Sequence, residues 1–148
     1  MRYLSVILGI FGLEWKLKNH IEKTVAEGEI KKKWGGFLLI RKYHNRGAFL
    51  NFGQKSRWAV ALVSLLLTAV ISIIFLLTLG RGGKSLLKWG LTLLLGGAYS
   101  NTYDRLSRKY VVDYVSFSVP GGLGKVVFNV GDFCIMIGAL LCVLGYEG

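Results

Sequence analysis

The string WAVALVSLLLTAVISIIFLLTL, residues 58–79, contains no charged residue over 22 positions. A helix needs about 20 apolar residues to cross roughly 30 Å of hydrocarbon. This one has no polar face with which to meet water, as a helix at the surface of a soluble domain would. It reads as a membrane-spanning helix. Three weaker apolar segments surround it. Residues 3–13 are uncharged but short, so a first span must run on past Glu14, Lys16 and Lys18 to about residue 22. A third span is expected over residues 85–103, with Lys84 and Lys88 able to extend to the interface. A fourth is expected over residues 130–146.

The predicted class is an all-α integral membrane protein, one membrane domain over residues 1–148, with four transmembrane helices and a small extracytoplasmic β-element. Composition points the same way, because 53% hydrophobic residues exceed what an ordinary soluble surface accommodates. The formal charge of +11 invites a nucleic-acid partner. No zinc spacing, helix-turn-helix pattern or aromatic RNA-binding motif accompanies that charge. The basic residues fall outside the apolar blocks, where membrane lipid headgroups are the natural partner, and no nucleic-acid binding is expected. Cys134 and Cys142 lie about 12 Å apart along one helix, too far for a disulfide. His20 and His44 lack ligand-spaced companions, so neither metal nor cofactor is expected. Met1-Arg2 and the apolar run behind it resemble a signal peptide, but charged residues follow in place of a cleavage site, and the segment reads as a retained span.

Gly80-Arg81-Gly82-Gly83 makes a tight turn, so the second and third spans are antiparallel neighbours. Residues 23–56 are too long for a simple turn. Within them residues 34–43 are rich in strand formers, and His44-Asn45-Arg46-Gly47 reads as a turn. The other long connection, residues 104–128, has Tyr110-Val111-Val112 strand-like and Pro120-Gly121-Gly122 flexible. An even number of spans puts both termini on one side and both long connections on the other. Two phosphate-loop lookalikes fail: for Gly83-Lys84-Ser85 the first glycine of the pattern falls on Thr78, and Gly124-Lys125 has no following serine or threonine.

Ionisable groups near membrane depth are costly and usually functional. Glu14, Asp104, Arg105, Asp113 and Asp132 stand at segment ends, whereas Glu22, Glu27, Glu29 and Glu147 lie in polar stretches and read as solvated. Asn129 and Asp132 have the spacing of a capping box at the start of the fourth span. Asp113, flanked by apolar residues in Val111-Val112-Asp113-Tyr114, has no such local role. If it folds back onto Asp132, the two carboxylates share one proton, because like charges so close cannot both ionise. One acid beside one base is the arrangement that activates water against a peptide bond.

Three linked blocks, GGAYSNTYDR (96–105), YVVDY (110–114) and FNVGD (128–132), resemble the signature of the signal peptidase II family, which reads GGA-x-GN-x-x-DR, VVDF and FN-x-AD in this order. Asn45-Arg46-Gly47-Ala48 resembles its N-x-GA block, and residues 13–18, LEWKLK, a degraded form of its LDQ-x-TK block. The resemblance implies a four-span aspartyl endopeptidase of the bacterial cytoplasmic membrane, working as a monomer. It would cut prolipoproteins just before a cysteine that already carries diacylglycerol. It implies Asp113 and Asp132 as catalytic pair, with supporting or substrate-binding roles for Glu14, Asn45, Asn101, Asp104, Arg105 and Asn129. For Asp104 and Arg105 the favoured role is a structural ion pair tying the third span to the following loop. Glu14, Trp15, Leu17, Ser100 and Gly131 depart from the family pattern; Ser100 in place of glycine is expected to loosen a close backbone approach there. These departures motivate a second reading, a catalytically altered member that binds lipidated peptides without cleaving them. The family orientation puts the two long connections outside, yet the stretches that contain them, Lys16 to Arg57 and Arg105 to Lys125, hold 15 of the 19 basic residues. The positive-inside rule taken alone gives the reverse orientation.

Overall fold

The computed structural model describes residues 1–47 and 56–146. It contains four helices, α1 (Arg2–Thr24), α2 (Arg57–Leu79), α3 (Ser85–Ser107) and α4 (Val130–Tyr146), and three strands, β1 (Ile30–Lys33), β2 (Leu38–Asn45) and β3 (Val111–Phe117). The protein is therefore mostly helical with a small sheet. Among the described residues α2 alone is both long and apolar enough to cross a membrane by length and composition, and α4 is a shorter apolar helix. Ser56 opens α2 by accepting from the Ala59 amide at 3.3 Å, a cap of the kind that contributes about 1 kcal/mol.

Polarity is distributed the opposite way to a soluble bundle. Leu66, Leu76 and Leu77 of α2 and Leu140, Val143 and Leu144 of α4 face outward, while Glu14, Lys18, Asn101 and Asp104 are buried inside. Apolar side chains are content on the outside only where the surroundings are apolar too.

Helix α3 is the axis of the bundle. Ile7, Leu91 and Leu95 share one apolar cluster with Phe75, and further along Lys18 reaches Ser100 and Asn101, so α1 runs parallel to α3. Hydrogen bonds between Thr68 and Thr102 at 2.9 Å and between Ser72 and Tyr99 at 2.7 Å set α2 antiparallel to it, as the short glycine turn implies. On its other face α3 meets α4 almost backbone to backbone. A Cβ on Gly97 would fall 2.2 Å from the Gly131 carbonyl oxygen, one on Gly138 2.5 Å from the Leu94 nitrogen, and one on Gly145 2.5 Å from the Leu87 nitrogen. Glycines seven residues apart on both helices thus form the seam, the close packing by which helices associate where hydrophobic burial offers no drive.

The strands form an antiparallel sheet in the order β1-β2-β3, with Ile30 opposite Arg41, Leu38 opposite Phe117 and Asn45 opposite Val111, and an irregularity between Ile40 and Tyr43. Both long connections lie at the end of the bundle where α1 and α3 finish. Two expectations need correcting, and one strand went unforeseen. Residues 34–36 form a 3-10 turn, so the strand begins only at Leu38 and runs through His44 and Asn45; pairing with β3 extends it past the expected turn. Ile30–Lys33 is a strand that its three lysines disguised, though such charge suits an exposed sheet edge. Glu22 is not a solvated acid: it meets His44 at 2.8 Å, and the His44 ring stacks on Tyr110 at 4.0 Å. Ala48 of the N-x-GA block and Glu147 lie outside the described residues. Cys134 and Cys142 are free thiols.

Candidate active site

Asp113 sits mid-strand in β3 and is 1% exposed. Asp132 sits in the first turn of α4. They are brought together by Phe128, whose carbonyl accepts from the amides of both Tyr114 and Val115 at 2.8 Å, while its own amide donates to Val115 at 2.7 Å. The chain entering α4 is thereby laid against β3, and Asn129, the next residue, faces Asp113.

Asn129 has two simultaneous tasks. Its Oδ1 accepts from the Asp132 amide at 2.9 Å while Asp132 Oδ2 accepts from the Asn129 amide at 3.0 Å, a reciprocal capping box. Its Nδ2 donates to Asp113 Oδ1 at 2.6 Å. One side chain therefore bridges the two carboxylates. Asn45 Nδ2 donates to the other Asp113 oxygen at 3.1 Å, and Asn101 Nδ2 donates to Asp132 Oδ1 at 2.8 Å. Each carboxylate is held by amides from two different elements.

Burial, and next the charge of Asp132, push the Asp113 carboxyl up to about 7, against the opposing donation from Asn45 and Asn129. Both acids line a cavity of about 270 Å³ together with Asn45, Asn101 and Arg105, and its apolar wall comes from α2, α3 and α4 through residues such as Leu67, Ile71, Leu94 and Met136. Arg105 donates to the Gly47 carbonyl at 3.3 Å, and its buried Nε has no hydrogen-bond partner among the described residues.

Three expectations fail. Asp104 and Arg105 do not pair with each other. Consecutive helical residues point to different faces: Asp104 turns inward to Lys18 at 3.1 Å and Arg108 at 3.0 Å and accepts from the Val112 amide at 3.2 Å, whereas Arg105 faces the cavity. Ser100 does not loosen its surroundings either; its hydroxyl accepts from Lys18 Nζ at 2.9 Å. Glu14 is not at a helix end but inside α1, where it is fully buried and 3.3 Å from Lys18. The sequence reading left out Lys18, which is 1% exposed, and Tyr114, whose hydroxyl donates to Glu14 at 2.5 Å. The i,i+4 acid–base spacing of Glu14 and Lys18, just past the apolar run of α1, was the signal available for Lys18.

A family model described as signal peptidase (SPase) II matches residues 6–146. The lipoprotein signal peptidase of Ralstonia nicotianae is 38% identical over 136 residues, spanning 89% of this chain and 76% of that protein. The corresponding protein of Caldicellulosiruptor bescii is 31% identical over 142 residues, spanning 95% and 87%. A solved bacterial membrane enzyme, determined by the in meso method at 2.3 Å, has a TM-score of 0.84 at 19% identity, covering 99% of this chain and 87% of its own. At that identity the likeness is one of fold.

The double task of Asn129 can be divided by substitution. Asn129→Ser keeps a capping oxygen and loses the donor to Asp113, so stability should stay within about 1 kcal/mol of the parent while cleavage of a lipidated precursor falls at least about tenfold. Asn129→Ala should lose both. Losing a donor to the ionised form raises the Asp113 pKa further, so the alkaline limb of the serine variant's pH–rate profile should move upward from about 7. Serine activity equal to wild type, with an unmoved limb, would reduce Asn129 to a cap.

Proposed function

This chain belongs to the signal peptidase II family, and we propose that Asp113 and Asp132 are the carboxylates with which it cuts. As an aspartic endopeptidase of that family it removes signal peptides from prolipoproteins. The observation that carries the dyad is the bridge through Asn129, which holds two acids from separate elements at one cavity wall.

With one proton between them, the ionised carboxylate takes a proton from a water as that water attacks the scissile carbonyl, and the protonated one gives its proton to the carbonyl oxygen. In the tetrahedral diol that results, the leaving nitrogen takes a proton from the carboxyl that was protonated by the water in the first step. A diol hydroxyl returns its proton to the other carboxylate, and the C–N bond breaks. The pair ends with its single proton restored. Asn45, Asn101 and Asn129 keep both acids oriented through this exchange, and Arg105 offers a donor to a substrate carbonyl across the cavity.

The substrate is a prolipoprotein whose cysteine carries diacylglycerol, cut just before that cysteine. The apolar wall between α2 and α4 receives its acyl chains, and the outward apolar faces meet membrane lipid. All four helices cross the bacterial cytoplasmic membrane and the enzyme acts as a monomer. Both termini and the turn at residues 80–84 are cytoplasmic, and the sheet with Asn45 and Asp113 lies outside. The burial of Lys18 removes one cation from the count that favours the reverse orientation.

Asp113→Asn and Asp132→Asn should each abolish cleavage in protein that remains folded and inserted, because an amide can neither accept the water proton nor supply one. Near-normal turnover in either removes that residue from the dyad.

For orientation, Lys32→Cys and Arg81→Cys in a background lacking Cys134 and Cys142 should label with an impermeant thiol reagent from outside and from the cytoplasm respectively. Labelling of position 32 only from the cytoplasm reverses the topology.

A further inference from the structure

We propose that the buried Glu14–Lys18 pair of α1, with Tyr114 of β3, is a positioning device that orients the amides flanking the Asp113 and Asp132 carboxylates. The inference rests on the dyad reading above. Helix α1 contributes no residue to the cavity wall, yet its two buried charges reach the site by two short routes.

The first route runs through Asn101. An ammonium has donors and no acceptor. Lys18 Nζ therefore binds Asn101 through its oxygen, Oδ1, at 2.9 Å, and this leaves Nδ2 to face Asp132 Oδ1 at 2.8 Å. The positive charge on α1 decides which way the amide points. With the amide reversed, its oxygen would oppose a carboxylate. Ser100 at 2.9 Å and Asp104 at 3.1 Å complete the environment of the ammonium.

The second route runs through Tyr114. Ionised Glu14 can only accept, so the phenol hydrogen is committed to Oε1 at 2.5 Å, and the phenol oxygen accepts from the Val130 amide at 3.3 Å. That contact grips the peptide between Asn129 and Val130, and Asn129 is the residue bridging the two acids. Gly131 makes room for it: a Cβ there would meet Asn129 Oδ1 at 2.9 Å and Glu14 Oε2 at 3.2 Å. Positions 14, 100 and 131, three departures from the family blocks, all fall in this one cluster.

The test is a cycle of Tyr114→Phe, Glu14→Gln and the double variant, assayed as purified full-length enzyme on a synthetic diacylglyceryl prolipoprotein peptide. Each single variant should lower kcat about tenfold with KM held within about twofold, and the double should be no worse than the poorer single, as residues acting as one unit behave. In Tyr114→Phe a loosened Asn129 donates less well to Asp113, so the alkaline limb of the rate should rise by about half a pH unit. Phe75→Leu, in the distant apolar cluster, serves as a stability control and should lower the thermal midpoint without moving the limb. If one single variant does not accumulate, the other decides by the same kcat, KM and pH criteria. Wild-type kcat in the singles, losses that multiply in the double, or an unmoved limb overturns the positioning role. Activity surviving in Asp113→Asn while Tyr114→Phe is impaired overturns the dyad reading instead.

Discussion

A lysine ammonium with 1% of its side chain exposed is the constraint around which this molecule is arranged. Taking such an ion out of water costs several kcal/mol even after relaxation. Lys18 offsets that cost with Glu14 at 3.3 Å, Asp104 at 3.1 Å and two neutral acceptors on α3. Arg108 supplies the second positive charge, 3.0 Å from Asp104, so the buried cluster balances two cations against two anions. Removing one member of a buried pair of this kind typically costs about 3–5 kcal/mol. The cluster sets the register of α1 against α3, because sliding either helix by a turn would part Lys18 from Ser100, Asn101 and Asp104.

The other face of α3 is fixed by shape. The glycine seam with α4 brings the Gly131 carbonyl to within 2.2 Å of where a Gly97 side chain would begin, and this approach is what puts Asp132 beside Asn101. Charge on one side and close packing on the other thus aim the same helix. The sheet then closes the site from the end, since Phe128 is hydrogen-bonded to β3 at two consecutive amides and cannot move without taking Asn129 with it. Each carboxylate is held from more than one direction, as a pair sharing a proton requires if its separation is to stay constant.

Much of this was legible in the chain. Helix α2 shows as a charge-free run, and the capping box of Asn129 and Asp132 shows as a three-residue spacing because both partners are local. Asp113 stood out because apolar residues flank it and no local role explains it. The groups that orient the dyad did not show, for a physical reason: Lys18 meets Ser100 across 82 positions, and Tyr114 meets Glu14 across 100. Adjacency was actively misleading for Asp104 and Arg105, whose opposite charges suggest a pair that helix geometry forbids. The glycines at 90, 97, 131, 138 and 145 carry a readable seven-residue period, but the period has meaning only once α3 and α4 are known to face each other. Strand β1 gave no apolar pattern to read, because an edge strand tolerates charge that a central strand does not.

The claim on which everything else rests is that Asp113 and Asp132 titrate as one unit. Asp113 can be observed directly by following the 13C resonance of its side-chain carboxyl through pH 4–9 in enzyme labelled at aspartate and assigned by substitution. The account predicts a midpoint for Asp113 near 7. In Asp132→Asn that midpoint should fall, because the neighbouring charge is gone, yet stay above the ordinary carboxylate value because the burial remains. A wild-type Asp113 that titrates near 4 like a free carboxylate, or one whose midpoint is unmoved by Asp132→Asn, would contradict it.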